Sequence, residues 1–268
     1  RRSARSILPE INSPRGDKKL RVGYFLGCGT DLFSPSVAEA TVRVLTSCGC
    51  EVIIPRDMKC CGVPHAANGK TDSARNLMVH NLKVFNSLNL DYIITDCGSC
   101  LAAISETNLK LLLFDQGYDE EIDRFCSRVY DLNQFLIEVL EINPRGLSPL
   151  DLKVTYHDPC HLAKALNIRR EPREILRMIP GLELVEMDDS ERCCGGAGTF
   201  SITHYDLSMK VLGKKMESIA HTGADVIATC CPSCIMQLKH GTNLFGYAAP
   251  VKHPVELLAE SGVQFRQQ

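Results

Sequence analysis

The chain has 268 residues, of which 44% are hydrophobic and 23% are charged, and its formal net charge is −2 at pH 7. This composition is typical of a globular protein with one large domain or two of ordinary size. The small net charge excludes a global electrostatic argument for nucleic-acid binding, and no apolar run approaches the roughly 18 residues that span a bilayer.

The first 21 residues are rich in basic side chains, with seven Lys or Arg against Glu10 and Asp17. They lack the apolar core of a signal peptide, and the chain starts at Arg1 rather than at a methionine. We therefore predict that residues 1–20 are an exposed linker that follows a missing N-terminal region of a longer protein.

The chain up to about residue 150 alternates between predicted strands and predicted helices. Short β-branched runs predict buried strands, because parallel strands that are covered on both faces lose their polar alternation. Apolar residues at a helical period predict the helices. In chain order these elements are a strand at 21–26, a helix at 36–46, a strand at 51–54, a helix at 72–88 and a strand at 91–95.

The alternation returns after residues 143–149, which are rich in turn residues and predict a domain boundary near residue 150. A strand at 152–156, a helix at 205–221 closed by Gly223, and a strand at 224–229 follow. The order of elements predicts an α/β protein with two tandem repeats of a Rossmann-like parallel-sheet domain. We place the two domains at residues 21–150 and 151–268.

Fourteen cysteines are far more than packing requires, and they have two broad explanations, namely disulfides of a secreted protein or thiolates bound to metal. Disulfide scaffolds are usually small and rich in loops. This chain is full-sized and has ample Val, Ile and Leu. The composition therefore favours metal binding, with disulfides as the alternative.

Ten of the cysteines repeat in order and spacing, which is the strongest signal in the sequence. In each half a single Cys precedes a Cys-Cys-Gly segment and then a Cys-x-x-Cys pair, and corresponding positions differ by 132, 133, 133, 134 and 134 residues. The ten are Cys28, Cys60, Cys61, Cys97 and Cys100 in the first half, and Cys160, Cys193, Cys194, Cys231 and Cys234 in the second.

Each set of five lies where loops follow predicted strands, at the sheet edge at which ligands gather. The Gly after each Cys-Cys pair permits the irregular backbone that two adjacent ligands need. Five thiols are one more than a tetrahedral zinc ion or an ordinary four-iron cubane requires, so zinc would leave one cysteine idle in each half. We therefore predict an iron–sulfur cluster in each half, with zinc in one or both halves as the alternative.

Four cysteines fall outside the repeated set. Cys230 stands beside a predicted ligand, but its partner in the first half is Asp96, which argues against a ligand role. Cys48, Cys50 and Cys126 have no counterparts in the other half. We interpret all four as small packing residues.

Two histidines, His157 and His161, flank Cys160. A hydrogen bond to cluster sulfur or a proton-transfer role would suit this position, and so would an ordinary polar loop. The sequence leaves both interpretations open.

The cysteine pattern resembles the cysteine-rich CCG domain, which is present twice between about residues 20 and 262. Four local sequences are most similar to the glycolate oxidase type; they are 25–29 (FLGCG), 156–161 (YHDPCH), 193–200 (CCGGAGTF) and 253–258 (HPVELL). Related iron–sulfur subunits occur in lactate dehydrogenase complexes and in anaerobic glycerol-3-phosphate dehydrogenase, and a related catalytic subunit occurs in heterodisulfide reductase. The resemblance implies that each set of five cysteines holds a non-cubane four-iron (4Fe–4S) cluster.

The resemblance also implies a role in electron transport. A partner flavoprotein, which carries FAD, would oxidise a 2-hydroxy acid such as glycolate or lactate, or glycerol-3-phosphate, and the electrons would pass through this chain toward quinone or another acceptor. The further partners implied are a ferredoxin-like domain or subunit and a quinone-reducing membrane subunit, but no nucleic acid. The expected location is cytoplasmic, with peripheral attachment at the inner membrane face as the alternative.

Two other functions stay open at this stage. The chain could act as a heterodisulfide reductase-like catalytic subunit, in which the clusters cleave a disulfide in two one-electron steps. It could also be a zinc-stabilised interaction module without redox activity. The sequence identifies no catalytic residue apart from the cluster-binding cysteines, so it does not decide whether the chain is itself an enzyme.

Overall fold

The computed structural model describes residues 2–143 and 145–262, and these divide between two compact units, Arg1–Phe135 and Leu136–Gln268. The strands of the first unit are β1 (Ile11–Asn12), β2 (Leu20–Tyr24), β3 (Cys50–Ile53), β4 (Tyr92–Thr95) and β5 (Val129–Asp131). Those of the second unit are β6 (Leu152–Tyr156), β7 (Leu182–Leu184), β8 (Val226–Ala228) and β9 (Val251–Lys252).

Helices connect the strands in both units. In the first unit they are α1 (Ala4–Ile7), α2 (Cys28–Phe33), α3 (Pro35–Ser47), α4 (Val63–Ala67), α5 (Thr71–Ser87), α6 (Gly98–Ala103), α7 (Glu106–Leu112), α8 (Asp119–Cys126) and α9 (Leu132–Gln134). In the second they are α10 (Arg170–Met178), α11 (Phe200–Thr203), α12 (Tyr205–Thr222), α13 (Pro232–Leu244) and α14 (Pro254–Glu260). Single π-helical turns occupy Phe135–Val139 and His161–Ala165.

The two sheets have the same topology. The order β3-β2-β4-β5 of the first sheet corresponds to β7-β6-β8-β9 of the second, and all of these neighbours are parallel. In register, Val22 of β2 lies between Val52 and Tyr92, as Val154 of β6 lies between Leu184 and Val226. The predicted fold class, two tandem parallel α/β repeats, is confirmed.

The cores explain why the central strands have no polar alternation. In the first unit Val22, Ile93 and Ile94 are fully buried, because helices cover both faces of a parallel sheet. Phe85 of α5 stacks on Phe25 at 5.5 Å between ring centroids, and it meets Phe125 edge-on at 5.9 Å. Aliphatic side chains fill the corresponding places of the second unit; they include Val154, Ile227, Leu212 and Ile219.

The long helices follow the sequence predictions closely. Those predicted at 36–46, 72–88 and 205–221 are observed as α3, α5 and α12, and Gly223 ends α12 in a left-handed conformation with φ of 58°. Strands β5, β7 and β9 were not predicted. They have only two or three residues, too few to show a period.

The N-terminal segment differs from the exposed linker expected for residues 1–20. Ala4 of α1 is fully buried, and the Arg5 guanidinium donates a hydrogen bond of 2.9 Å to the Met58 carbonyl. Strand β1 adds to the first sheet in the antiparallel sense, with Ile11 opposite Ile53. These contacts join residues far apart in sequence, which is why the local pattern did not indicate them. The boundary near residue 150 stays a prediction.

No helix within the described ranges is long and apolar enough to cross a membrane.

Candidate metal centres

The first five-cysteine set lies at the carboxyl ends of neighbouring parallel strands. Cys28 begins α2 just beyond β2, and Cys97 precedes α6 just beyond β4. Cys100 lies in the first turn of α6, while Cys60 and Cys61 lie in the loop between β3 and α4. Because β3, β2 and β4 are adjacent, their loops reach the same edge of the sheet.

The five thiols of the first unit form one continuous chain. The Cys28 and Cys60 sulfurs lie 3.8 Å apart, and those of Cys61 and Cys100 lie 3.4 Å apart. Further thiol hydrogen bonds join Cys60 to Cys61 and Cys100 to Cys97. The structure thus brings together all five cysteines that the sequence selected in this half.

The second unit repeats the chain in the same order. The Cys160 thiol is hydrogen-bonded to Cys193, and Cys193 is hydrogen-bonded to Cys194. Further thiol hydrogen bonds link Cys194 to Cys234 and Cys234 to Cys231. Cys231 precedes α13, and Cys234 lies in its first turn, as Cys97 and Cys100 do relative to α6. The two halves therefore build the same thiol arrangement from independent sheets. That these thiols bind a metal stays a prediction.

In each thiol chain, hydrogen bonds favour the thiolate form of one sulfur. Hydrogen bonds from Cys28 and Cys61, and then from the Gly62 N–H at 3.5 Å, lower the pKa of Cys60. Hydrogen bonds from Cys160 and Cys194, and then from the Gly195 N–H at 3.3 Å, do the same for Cys193. Thiols that bind a metal lose their protons, so a sulfur that already favours the thiolate form suits a metal site.

Glycine is required at two kinds of position around the thiols. A Cβ atom on Gly27 would lie 2.8 Å from the Cys100 sulfur, inside the space that the thiols enclose. Gly62 and Gly195, which follow the Cys-Cys pairs, have φ of 81° and 85°. These left-handed turns allow two consecutive cysteines to serve one site.

The thiols fit a metal–thiolate centre. Two thiolates bound at about 2.3 Å to one tetrahedral ion lie about 3.8 Å apart, close to the spacing between Cys28 and Cys60. None of the fourteen cysteines, all of which lie in the described ranges, forms a disulfide. Five donors in each unit exceed what one four-coordinate zinc ion uses, so the donor set suits a cluster of several irons better.

The cysteines outside the repeat take other positions. Cys230 is fully buried below the second site, where its sulfur accepts a hydrogen bond of 3.3 Å from the Tyr156 hydroxyl. Its partner Asp96 is also fully buried and accepts a bond of 2.7 Å from the Thr30 hydroxyl. Cys126 contacts the Ile104 carbonyl, outside the thiol chain. These positions agree with the packing interpretation.

The structure separates the two histidines that the sequence left undecided. His161 is exposed. His157 is 1% exposed, and one of its ring nitrogens lies with the sulfurs of Cys194 and Cys234 in a group whose members are within 4.8 Å of one another. Burial, and then the charge of Lys215, lower the pKa of His157 to about 4. His157 is therefore a neutral side chain at the second site.

Sequence reasoning missed Lys215, which is fully buried in α12. Its Nζ atom donates hydrogen bonds to the carbonyls of Asp189 at 2.7 Å and Ser190 at 3.2 Å. Burial lowers the pKa of Lys215 to about 8. A lysine on the apolar stripe of a predicted helix was the available signal, because such a position normally carries an apolar residue.

The ten repeated cysteines lie within two matches to a known family. The profile of the cysteine-rich domain family, CCG, matches residues 22–105 and 154–239.

Similar proteins are known from several organisms. The chain is 32% identical over 275 residues to a Bacillus subtilis protein named "Probable glycolate oxidase iron-sulfur subunit", and the match covers 97% of this chain and 62% of that protein. It is 31% identical over 239 residues to "Lactate utilization protein A" of Exiguobacterium sp., covering 89% of this chain and 97% of that protein. It is 34% identical over 223 residues to an iron–sulfur protein of Methanococcus maripaludis, covering 83% of this chain and 42% of that protein. The chain thus spans less than two thirds of the Bacillus subtilis and Methanococcus maripaludis proteins and nearly all of the Exiguobacterium protein.

Among solved structures, a hypothetical protein from Helicobacter pylori has a similar fold. The TM-score is 0.59 at 12% sequence identity, and the match covers 99% of this chain and 53% of that one. At this identity the likeness concerns the fold alone.

Proposed function

Because the chain belongs to the cysteine-rich CCG domain family, we propose that it is an iron–sulfur electron-transfer subunit with one cluster in each unit. The observation that carries the proposal is the chain of five thiols, present twice in the same order. Cys28, Cys60, Cys61, Cys97 and Cys100 would hold the first cluster, and Cys160, Cys193, Cys194, Cys231 and Cys234 the second. A non-cubane four-iron cluster would use all five thiolates and would supply a one-electron carrier.

The electron donor proposed is a flavoprotein that oxidises a 2-hydroxy acid of the glycolate or lactate type, or glycerol-3-phosphate. The names of the Bacillus subtilis and Exiguobacterium relatives support this substrate class. FAD would reside on the partner. A ferredoxin-like domain or subunit and a quinone-reducing membrane subunit would complete the path, with quinone or another carrier as acceptor.

The chemistry divides between the two proteins. Oxidising the alcohol carbon of a hydroxy acid to a carbonyl removes two electrons and two protons, which the flavin of the partner takes up. Bound clusters would supply one-electron carriers to this chain. The cysteine thiolates would hold them at the sheet edge, and in the first unit the lack of a side chain at Gly27 leaves space beside the Cys100 sulfur.

A second candidate is a disulfide reductase that cleaves its substrate at the cluster. The observation that favours it is access, because Cys28 is exposed and Cys60, Cys160 and Cys193 are only half-buried. A substrate sulfur could therefore approach either site from solvent. In that reaction one disulfide takes up two electrons, in two one-electron steps, and two protons, and it leaves as two thiols.

Electron uptake and substrate turnover of the isolated chain distinguish these functions. We expect anaerobically purified protein to be reduced by dithionite, to reduce a water-soluble quinone, and to leave lactate, glycolate and glycerol-3-phosphate unchanged. Adding a flavoprotein dehydrogenase of the matching substrate should couple substrate oxidation to reduction of this chain. Cys193→Ser should weaken that coupling and Cys230→Ser should not.

Steady reduction of a small disulfide by the dithionite-reduced chain alone, lost in Cys193→Ser, would instead favour the reductase. A chain that takes up no electrons at either site would contradict both redox proposals.

A further inference from the structure

Although the two thiol chains match, the helices beside them carry different groups. Helices α5 and α12 begin 134 residues apart, at Thr71 and Tyr205, and their buried positions match at this offset. Ala74, Met78, Asn81, Leu82 and Phe85 correspond to Ser208, Leu212, Lys215, Met216 and Ile219. A neutral amide in the first unit is thus replaced by a buried ammonium in the second.

Asn81 and Lys215 serve the same structural purpose. The Asn81 side chain accepts a hydrogen bond of 2.8 Å from the Lys59 N–H and donates to the Lys59 and Cys60 carbonyls, each at 3.2 Å. Lys215 likewise bonds to carbonyls just before its own Cys-Cys pair. Both side chains therefore hold the cysteine loop in place, but only Lys215 brings a charge. The side chain of Lys59 is exposed, where solvent screens its field.

The charge of Lys215 is directed at the second site. Among the described residues no carboxylate forms an ion pair with its ammonium group, whose partners are backbone carbonyls and the Met187 sulfur. Cys194, once deprotonated by a bound metal, would interact favourably with this ammonium, as the Asp189 and Asp158 carboxylates do. The interaction is strong because the side chain is fully buried, where the effective dielectric constant is low.

A single carbonyl fixes this polar group against the second thiol chain. The Ser190 carbonyl accepts hydrogen bonds from the Asp158 N–H at 3.1 Å and from Lys215 at 3.2 Å, and it lies 3.2 Å from His157 Nδ1. Because a carbonyl only accepts, His157 Nδ1 carries the proton of this contact. The first unit has Phe25 where the second has His157, and Phe25 packs on Phe85. The second unit therefore has a polar ring where the first unit has an aromatic pair.

A second difference acts in the same direction. Behind the first site lies the buried carboxyl group of Asp96, next to Cys97. At the matching place in the second unit lies the uncharged side chain of Cys230. An acidic group near one centre and a cation near the other favour added negative charge at the second.

We propose that Lys215 raises the reduction potential of the second site, so that the second site accepts an electron before the first. Reduction adds one electron to a site, and nearby positive charge stabilises the product. The inference rests on the proposed clusters. It gives the two sites different roles in electron transfer, because a single added electron occupies the site with the higher reduction potential.

A redox titration with dithionite, followed by electron paramagnetic resonance, tests the inference on the anaerobically purified full chain. We expect two one-electron steps. Lys215→Gln, which keeps a polar side chain able to bond the loop carbonyls, should shift the higher step to lower potential and leave the other in place. Lys214→Gln is the matched control, because Lys214 is the adjacent residue on α12, is exposed, and changes the net charge equally. It should shift neither step measurably.

The steps are assigned independently of Lys215. Cys231→Ser should remove the higher step and Cys97→Ser the lower one, which keeps the inference testable even if Lys215→Gln fails to hold iron. Asp96→Asn should raise the lower step. Loss of the lower step in Cys231→Ser, or equal shifts in Lys215→Gln and Lys214→Gln, would overturn the inference while leaving the clusters established. Absence of iron from both sites would overturn the proposed function itself.

Discussion

At the residue scale, neighbouring cysteines have opposite roles. Cys230 and Cys231 adjoin in sequence, yet Cys231 ends the second thiol chain while Cys230 meets the Tyr156 hydroxyl below it. The separation arises because consecutive side chains along an extended segment point to opposite faces. In the first unit Cys97 likewise ends the thiol chain, while the neighbouring Asp96 accepts a hydrogen bond from Thr30. Cys230 matches Asp96, which supports its interpretation as a packing residue.

This pair makes a prediction about ligands. Cys231→Ser should lose the iron of the second unit and lower the free energy of unfolding, because metal binding is coupled to folding. Cys230→Ser should keep full iron content, at a cost of about 1 kcal/mol for changing a buried contact. Iron analysis and chemical unfolding under anaerobic conditions measure both effects. Equal iron loss in the two variants would show that the repeat assigns the wrong cysteine.

At the element scale, the turn after each Cys-Cys pair packs directly on a long helix. The Ser208 hydroxyl of α12 donates a hydrogen bond of 2.8 Å to the Gly195 carbonyl and accepts one of 3.1 Å from the Gln237 amide of α13. A Cβ atom on Gly195 would lie 2.6 Å from the Ser208 carbonyl oxygen. The helix packing and the site geometry therefore depend on the same glycine.

Two alanine substitutions separate backbone strain from packing. Gly198 has φ of 58° and nothing within 4 Å of its added Cβ, so Gly198→Ala should cost about 1 kcal/mol from the left-handed conformation alone. Gly195→Ala adds the clash with α12 and should cost about 2–4 kcal/mol.

Chemical unfolding gives both free energies, and iron content reports the second site. We expect iron loss only for Gly195→Ala. Equal destabilisation by the two substitutions would mean that α12 moves aside readily.

At the scale of the whole molecule, the duplicated chain provides two separate sets of five thiols. Each unit has its own parallel sheet, its own buried core and its own five thiols. A metal lost from one unit should therefore leave the ligands of the other intact. On the inference above, Lys215 and Asp96, which have no charged counterparts in the other unit, would give the two sites separate properties.

Metal content tests the proposed clusters directly. Anaerobically purified protein should be brown and contain roughly eight irons, with matching acid-labile sulfide, per chain. Cys97→Ser and Cys231→Ser should each remove about half, because one thiolate of a single unit is lost in each case. Elemental analysis and absorption spectra measure the iron content of the unaltered chain and of the two variants. A colourless protein with stoichiometric zinc from an oxygen-free preparation would contradict the iron–sulfur proposal.

The sequence by itself determined the features that depend on neighbouring residues or on the internal repeat. The cysteine spacing, read against its own copy 132 to 134 residues away, selected the same ten residues that the structure collects into two thiol chains. Hydrophobic period and β-branched runs located helices α3, α5 and α12 and the central strands. These signals survive because burial on a parallel sheet imposes its pattern on adjacent residues.

The tertiary structure alone decided the features that depend on contacts between distant residues. The short edge strands and the N-terminal segment are held by pairings such as Ile11 with Ile53, which no local pattern encodes. Folding decided between the two interpretations of His157, which it buries beside Cys194 and Cys234, and it brought in Lys215, which the sequence analysis had missed. The repeat made the two sites equivalent in their thiols, whereas they differ in side chains that come from α5 and α12 and from the ends of the strands. Only folding brings these side chains to the cysteines, and only in a buried environment does one ammonium group act strongly on a site.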